Sequence, residues 1–78
     1  MPVPAFVLIH TEVGKSAQVA QEVAKVDGVV SAEAVMGVYD VIARAEAESV
    51  DELGRMVVSR IQAINGITRT LTCQVVSL

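Results

Sequence analysis

Aromatic residues are nearly missing from this 78-residue chain: Phe6 and Tyr39 are the only two, and there is no Trp. Its core must therefore be built from Val, Ile, Leu and Ala, which bury less area each than an aromatic ring does. Cysteine is scarcer still. The single Cys73 excludes an internal disulfide, and one Cys with one His (His10) is too few for a zinc site. No uninterrupted apolar run reaches the length of about 18 residues that a membrane span needs. The opening Met1-Pro2-Val3-Pro4 lacks the basic and apolar regions of a signal peptide. Positive charge does not gather either. The six basic residues (Lys15, Lys25, Arg44, Arg55, Arg60 and Arg69) are dispersed and face nine acidic ones, a net charge of −3. Without a basic stripe to neutralise several phosphates, direct nucleic-acid binding is disfavoured. These absences point to a soluble cytoplasmic protein that neither enters a membrane nor binds DNA.

What is present is aliphatic. Fully 53% of the chain is apolar, which rules out disorder. The length allows one domain, and a domain this small removes only roughly 60% of its unfolded surface from water. More apolar residues are available than a monomer hides, so self-association is expected.

Local punctuation divides the chain into six elements. Pro2 and Pro4 are expected to hold the first residues out of regular pairing. Ala5 to Thr11 is β-rich and apolar on both alternating faces, as a central strand should be. After Gly14, Ser16 to Val26 places Val19, Val23 and Val26 at i, i+4 and i+7, one buried helical stripe closed by Asp27-Gly28. Val29 to Met36 alternates with Val30, Ala32, Ala34 and Met36 on one face. Beyond Gly37, Tyr39 to Glu46 alternates again, Val41, Ala43 and Ala45 opposing Ile42, Arg44 and Glu46, so the pair reads as a hairpin. Ser49-Val50-Asp51-Glu52 is a capping-box signature that opens a second helix with Val50, Leu53, Val57, Ile61 and Ile64 on its buried side. Asn65-Gly66 closes it, and Ile67 to Val76 forms the last strand, Leu71, Cys73 and Val75 facing away from Thr68, Thr70, Thr72 and Gln74.

The junctions Val26-Asp27-Gly28-Val29 and Ile64-Asn65-Gly66-Ile67 repeat 38 residues apart. Two strand–helix–strand halves with right-handed crossovers give a ferredoxin-like βαββαβ sandwich, an α+β fold of one four-stranded antiparallel sheet with two helices on one face. The first strand is apolar on both faces, so the face without helices needs a cover, and a second copy in a two-fold dimer is the simplest one.

Chemistry-bearing residues are few. His10 lies in the central strand with no spaced partner for acid–base work and reads as a structural or interface histidine. Cys73 reads as a small buried hydrophobe, and Asp51 and Glu52 are explained by the helix start. Gly14-Lys15-Ser16 is the tail of a phosphate loop without its earlier glycine. Gly37-Val38-Tyr39-Asp40 stands apart. An Asp in a turn often caps its own backbone, but exposed amides near Gly37 could also hold a carboxylate, Asp40 an ammonium, and Tyr39 a wall. Those are the needs of a free amino acid. The threonine row adds hydroxyls, although threonine is also a good strand former.

The six-element order, the Asp27-Gly28-Val29 junction, the Gly37-Val38-Tyr39-Asp40 turn and Asn65-Gly66-Ile67-Thr68-Arg69-Thr70-Leu71-Thr72 together resemble the effector domain of the Lrp/AsnC regulators, also called the regulation-of-amino-acid-metabolism domain. The resemblance covers nearly the whole chain. It implies a dimeric α+β barrel assembled sheet to sheet, growth into larger rings such as octamers, and small effectors, commonly amino acids, held between subunits. It further implies a ligand site formed by Gly37, Val38, Tyr39 and Asp40 with Thr70 and Thr72, while the residues themselves offer no cofactor, metal or catalytic set. Full-length members place a helix-turn-helix domain first. Here the strand begins at Ala5 and no such domain fits, so residues 1–78 read as one stand-alone effector domain. A full-length regulator of the family is then a candidate partner by co-assembly. The expected function is non-enzymatic amino-acid sensing. The alternatives are a small cofactor-free monooxygenase or isomerase of the same barrel type, or a purely structural assembly module.

Overall fold

The computed structural model describes residues 2–78, so Met1 alone lies outside the described residues. Its elements are β1 (Val3–Thr11), α1 (Ser16–Ala24), β2 (Val29–Ala34), β3 (Val41–Ala47), α2 (Val50–Met56) and β4 (Ile67–Gln74), with α2 running on into a π-helical stretch, Val57–Ile61. The strands form one antiparallel sheet in the order β2-β3-β1-β4. This is the ferredoxin-like order that two split strand–helix–strand units produce.

The alternation of β1 sets the layers. Ala5, Val7 and Ile9 are buried on the helix side beside Val41, Ala43 and Ala45 of β3, while α1 supplies Val19, Ala20 and Val23. The second helix adds Leu53, Met56, Val57 and Ile61. Neither aromatic residue enters this core, and among the described residues no polar or charged side chain is buried. Met56 joins the aliphatic set the sequence suggests, its flexible thioether filling space above Gly28.

Both helix-closing glycines adopt the left-handed conformation, φ being +95° at Gly28 and +102° at Gly66. A Cβ on Gly28 would strike the Met56 side chain and sit 3.0 Å from the Glu46 carbonyl oxygen. The repeat extends to hydrogen bonding: the Gly28 and Gly66 carbonyls accept the N–H of Glu46 and Glu12, each at 2.8 Å. At the start of α2, Ser49 Oγ accepts the Glu52 N–H at 3.1 Å, as the capping signature predicts.

Several expectations need correction. Pro4 is inside β1, registered opposite Glu46, and its carbonyl accepts the Val75 N–H at 2.9 Å, so the strand begins before Ala5. Helix α1 stops at Ala24 rather than Val26, the chain already turning toward Gly28. Strand β2 ends at Ala34, and a register shift between Val29 and Ser31 inserts a residue. Val29 and Ala32 consequently pack on the core, and Val30 and Met36 are exposed. Tyr39 and Asp40 precede β3 instead of opening it, and β4 ends at Gln74 rather than Val76. Val50, expected in the buried stripe, is 56% exposed, because the helix's first residue lies out beside β4. Cys73 is exposed rather than buried, facing the open side of the sheet opposite Phe6.

Candidate functional site

The site begins where β1 ends. Pairing with β4 slips between His10 and Thr11, and the Thr11 N–H donates to Asp40 Oδ2 at 2.8 Å. The Asp40 N–H donates to the Ile9 carbonyl and the Asp40 carbonyl accepts from Val35, both at 2.9 Å. These three bonds pin Asp40 and close the β2–β3 hairpin on a tip of residues 36–39. Asp40 Oδ1 has no hydrogen-bond partner among the described residues.

His10 shares the open face of β1 with Phe6 and Leu8. Its ring lies on Tyr39 with centroids 4.6 Å apart and planes tilted by 31°, and its Nδ1 is 3.9 Å from Asp40 Oδ2. Tyr39 is thereby held over the end of β1. At Gly37 the backbone is outside the left-handed region, and an added Cβ would meet nothing within 4 Å. Neither turn nor packing demands glycine there; its effect is to leave the backbone uncovered. Among the described residues, no N–H of the tip, 36–39, donates to another backbone group. Val38 at the tip is 82% exposed. A carboxylate oxygen, bare amides and an aromatic wall thus meet on one fixed loop.

Thr70 and Thr72 lie elsewhere. Opposite Ile9 and Val7 in the register, they face the helix side and border a groove of about 400 Å³ with Val50, Gly54, Val58 and Gln62. Thr70 Oγ1 accepts from Gln62 Nε2 at 2.8 Å. The sheet separates them from Tyr39 and His10, so one chain brings Gly37, Val38, Tyr39 and Asp40 together but not the threonines. The sequence reading missed His10 as the neighbour of this loop and Thr11 as the backbone partner of Asp40. That contact spans 29 residues, so no local spacing signals it.

A larger cleft, about 480 Å³, opens toward the opposite end of β3 between Asp27, Glu46, Glu48, Arg55 and Arg60. It holds none of the candidate residues, and no buried polar side chain points into it. Among the described residues no three His, Cys, Asp or Glu gather as a metal site, and no helix is long and apolar enough to cross a membrane.

The open sheet face has an apolar centre, Phe6, Leu8, Ile42, Leu71 and Cys73, and a polar margin, Ser31, Glu33, Arg44, Glu46 and Arg69. Phe6 is 39% and Leu71 49% exposed, and the Arg44 guanidinium sits 5.3 Å from the Phe6 ring centre. An apolar patch rimmed by charge is the usual anatomy of an interaction surface.

Residues 4–77 match the Lrp/AsnC ligand binding domain. The chain belongs to this family. Among similar proteins, an uncharacterized HTH-type transcriptional regulator of Pyrococcus abyssi is 31% identical over 71 residues, 87% of this chain and 47% of its own length. This Lrp/AsnC domain therefore spans about half the length of the curated relatives it matches. A crystal structure of a Thermus thermophilus protein superposes with a TM-score of 0.90 at 28% identity, covering 97% of this chain and 95% of that one. A transcriptional regulator of Neisseria meningitidis, solved as an L-Met complex, has the same fold, with a TM-score of 0.82 at 19% identity over 96% of this chain and 50% of its own.

Proposed function

We propose that this Lrp/AsnC domain is a non-enzymatic sensor that binds a free amino acid at the hairpin tip and encloses it between copies packed sheet to sheet. The observation that carries the reading is the pinned loop: Asp40 presents a free Oδ1 beside backbone amides that have no backbone partner in the chain. Asp40 takes the ammonium, the amides around Gly37 take the carboxylate, and Val38 and Tyr39 border the side chain. Thr70 and Thr72 lie across the sheet within one chain and would join the site only from a copy outside the sheet-to-sheet pair. The L-Met complex of the Neisseria relative supports the ligand class.

A ligand held between subunits favours the assembly that forms its site, by its differential affinity for that state. The dimer is proposed to join further dimers in a ring, or to co-assemble with a longer regulator of the same family. Binding is favoured over catalysis because aliphatic side chains fill the space between helices and sheet, where an enzyme of this barrel type would need polar groups. Calorimetric titration with a panel of amino acids, with the particle mass followed by light scattering, tests the reading. One or more amino acids should bind at millimolar concentration or below and shift the mass; silence across the panel removes the reading.

A further inference from the structure

We infer that His10 is a positioning residue of the proposed amino-acid site and makes occupancy of that site depend on pH. The neutral ring holds Tyr39 over the end of β1 and leaves the Asp40 carboxylate to the ligand. The protonated ring takes that carboxylate and competes with the ligand's ammonium group. The inference rests on the amino-acid reading above and adds the proton as a second, opposing ligand.

Placement singles this residue out. On the open face β1 presents the apolar Phe6 and Leu8, and a titratable ring only where the strand meets the loop. His10 is the sole histidine of the chain, and histidine is the side chain whose charge ordinarily changes between about pH 5 and 8. Among the described residues neither of its ring nitrogens has a hydrogen-bond partner. An imidazole kept only for structure would be expected to use one of them.

The distances suit a contact that a proton turns on. His10 Nδ1 stands 3.9 Å from Asp40 Oδ2. That is too far for a hydrogen bond from a neutral ring, yet close enough for an ion pair once the ring is charged. Oδ2 itself is held in place by the Thr11 N–H at 2.8 Å. The Tyr39 ring is 4.6 Å away between centroids, so an imidazolium also gains the attraction of that ring. Protonation therefore tightens His10 on both Tyr39 and Asp40, the wall and the carboxylate of the proposed site.

Few other charges surround the ring. Asp40 and Tyr39 face it from the turn before β3, and Arg69 stands opposite it in the register of β4. Glu12 follows two residues later in the chain, and Glu33 of β2 is set apart by the whole width of β3. Both helices lie across the sheet. Of these groups only Asp40 is one that the ligand also needs. A proton on His10 and an ammonium at Asp40 would set two positive charges on one carboxylate, with Arg69 alongside. Each therefore weakens the binding of the other, and by the same factor.

Calorimetric titration with the amino-acid panel at about pH 5 and about pH 8, the ends of the histidine range, tests this coupling. Affinity should be roughly two- to fivefold weaker at the acid end, which is the strength of an exposed ion pair. His10→Phe keeps a ring on Tyr39 but carries no proton, so its affinity should be equal at both ends. His10→Gln gives the same check if the Phe variant does not fold. Without any ligand, the one imidazole of the chain can be followed by proton NMR, and Asp40→Asn should move its titration midpoint to lower pH. Equal affinity at both ends in the unmodified protein overturns the inference and leaves the amino-acid reading standing. So does a pH dependence that survives in His10→Phe, or a midpoint that Asp40→Asn leaves in place. Silence of the whole panel at both ends removes the amino-acid reading, and the inference falls with it.

Discussion

Replacing Asp40 separates its structural work from its proposed binding role. Its Oδ2 accepts the Thr11 N–H at 2.8 Å in a part-buried setting, so Asp40→Ala leaves that donor to whatever water reaches it. An unsatisfied group of this kind costs about 1–3 kcal/mol, and the partial exposure places this one near the lower limit. About 1 kcal/mol lowers the melting temperature of a domain this size by roughly 4–8 °C. Asp40→Asn behaves differently. The amide oxygen still accepts from Thr11, so the melting temperature should change little, but the charge for a ligand ammonium is gone. A hydrogen bond to a charged group contributes about 1.5–3 kcal/mol, which corresponds to affinity weakened roughly 10- to 150-fold. Thermal melts and calorimetric titration with an amino acid that binds the unmodified protein read the two effects separately. If Asp40→Asn binds within twofold of the unmodified protein, the ammonium is not at Asp40. If Asp40→Ala melts at the original temperature, the bond to Thr11 does not hold the loop.

Other substitutions probe the surrounding frame. Gly37→Ala should leave the fold unchanged or up to about 1 kcal/mol more stable, yet bind amino acid more weakly as the methyl covers the bare amides; undiminished affinity in the titration would remove those amides from the site. Gly28→Ala should cost about 2–3 kcal/mol in urea denaturation, combining a left-handed non-glycine residue with the crowding of Met56 and the Glu46 carbonyl; a loss under about 1 kcal/mol would contradict the junction geometry. Phe6→Glu puts a carboxylate at the centre of the open face but near Arg44, so the monomer should fold while light scattering shows the sheet-to-sheet pair dissociated at micromolar concentration; an unchanged mass would place that interface elsewhere.

The sequence was most legible where chemistry is local. Glycine after each helix, Ser49 with Glu52, and the period-two pattern of β3 each report on neighbours within a few residues, and all three recur in the structure. Inserted residues were illegible. The bulge in β2 and the π-helical stretch, in which the Gln62 N–H reaches the Val57 carbonyl at 2.8 Å, leave composition unchanged while shifting the phase of the residues beyond them. Alternation correctly separated the threonines of β4 from Leu71, Cys73 and Val75. It could not say which set would meet the helices, since the register with β1 decides that. Cys73, expected to be buried, is exposed in the chain, and only the proposed pairing of two sheets would cover it beside Phe6.

The apolar surplus therefore gathers on the open face of the sheet, around Phe6, Leu8, Ile42 and Leu71. A contact across the open face would place a two-fold axis between the two sheets. The proposed ligand loop borders that face. It stacks through Tyr39 on His10, which belongs to the open face, and contributes no residue to the groove lined by Thr72. Amino acid should accordingly strengthen the face contact. Phe6→Glu should abolish the ligand-dependent shift in dimer dissociation that the unmodified protein shows. A shift that persists in Phe6→Glu would mean that a surface other than this face encloses the ligand.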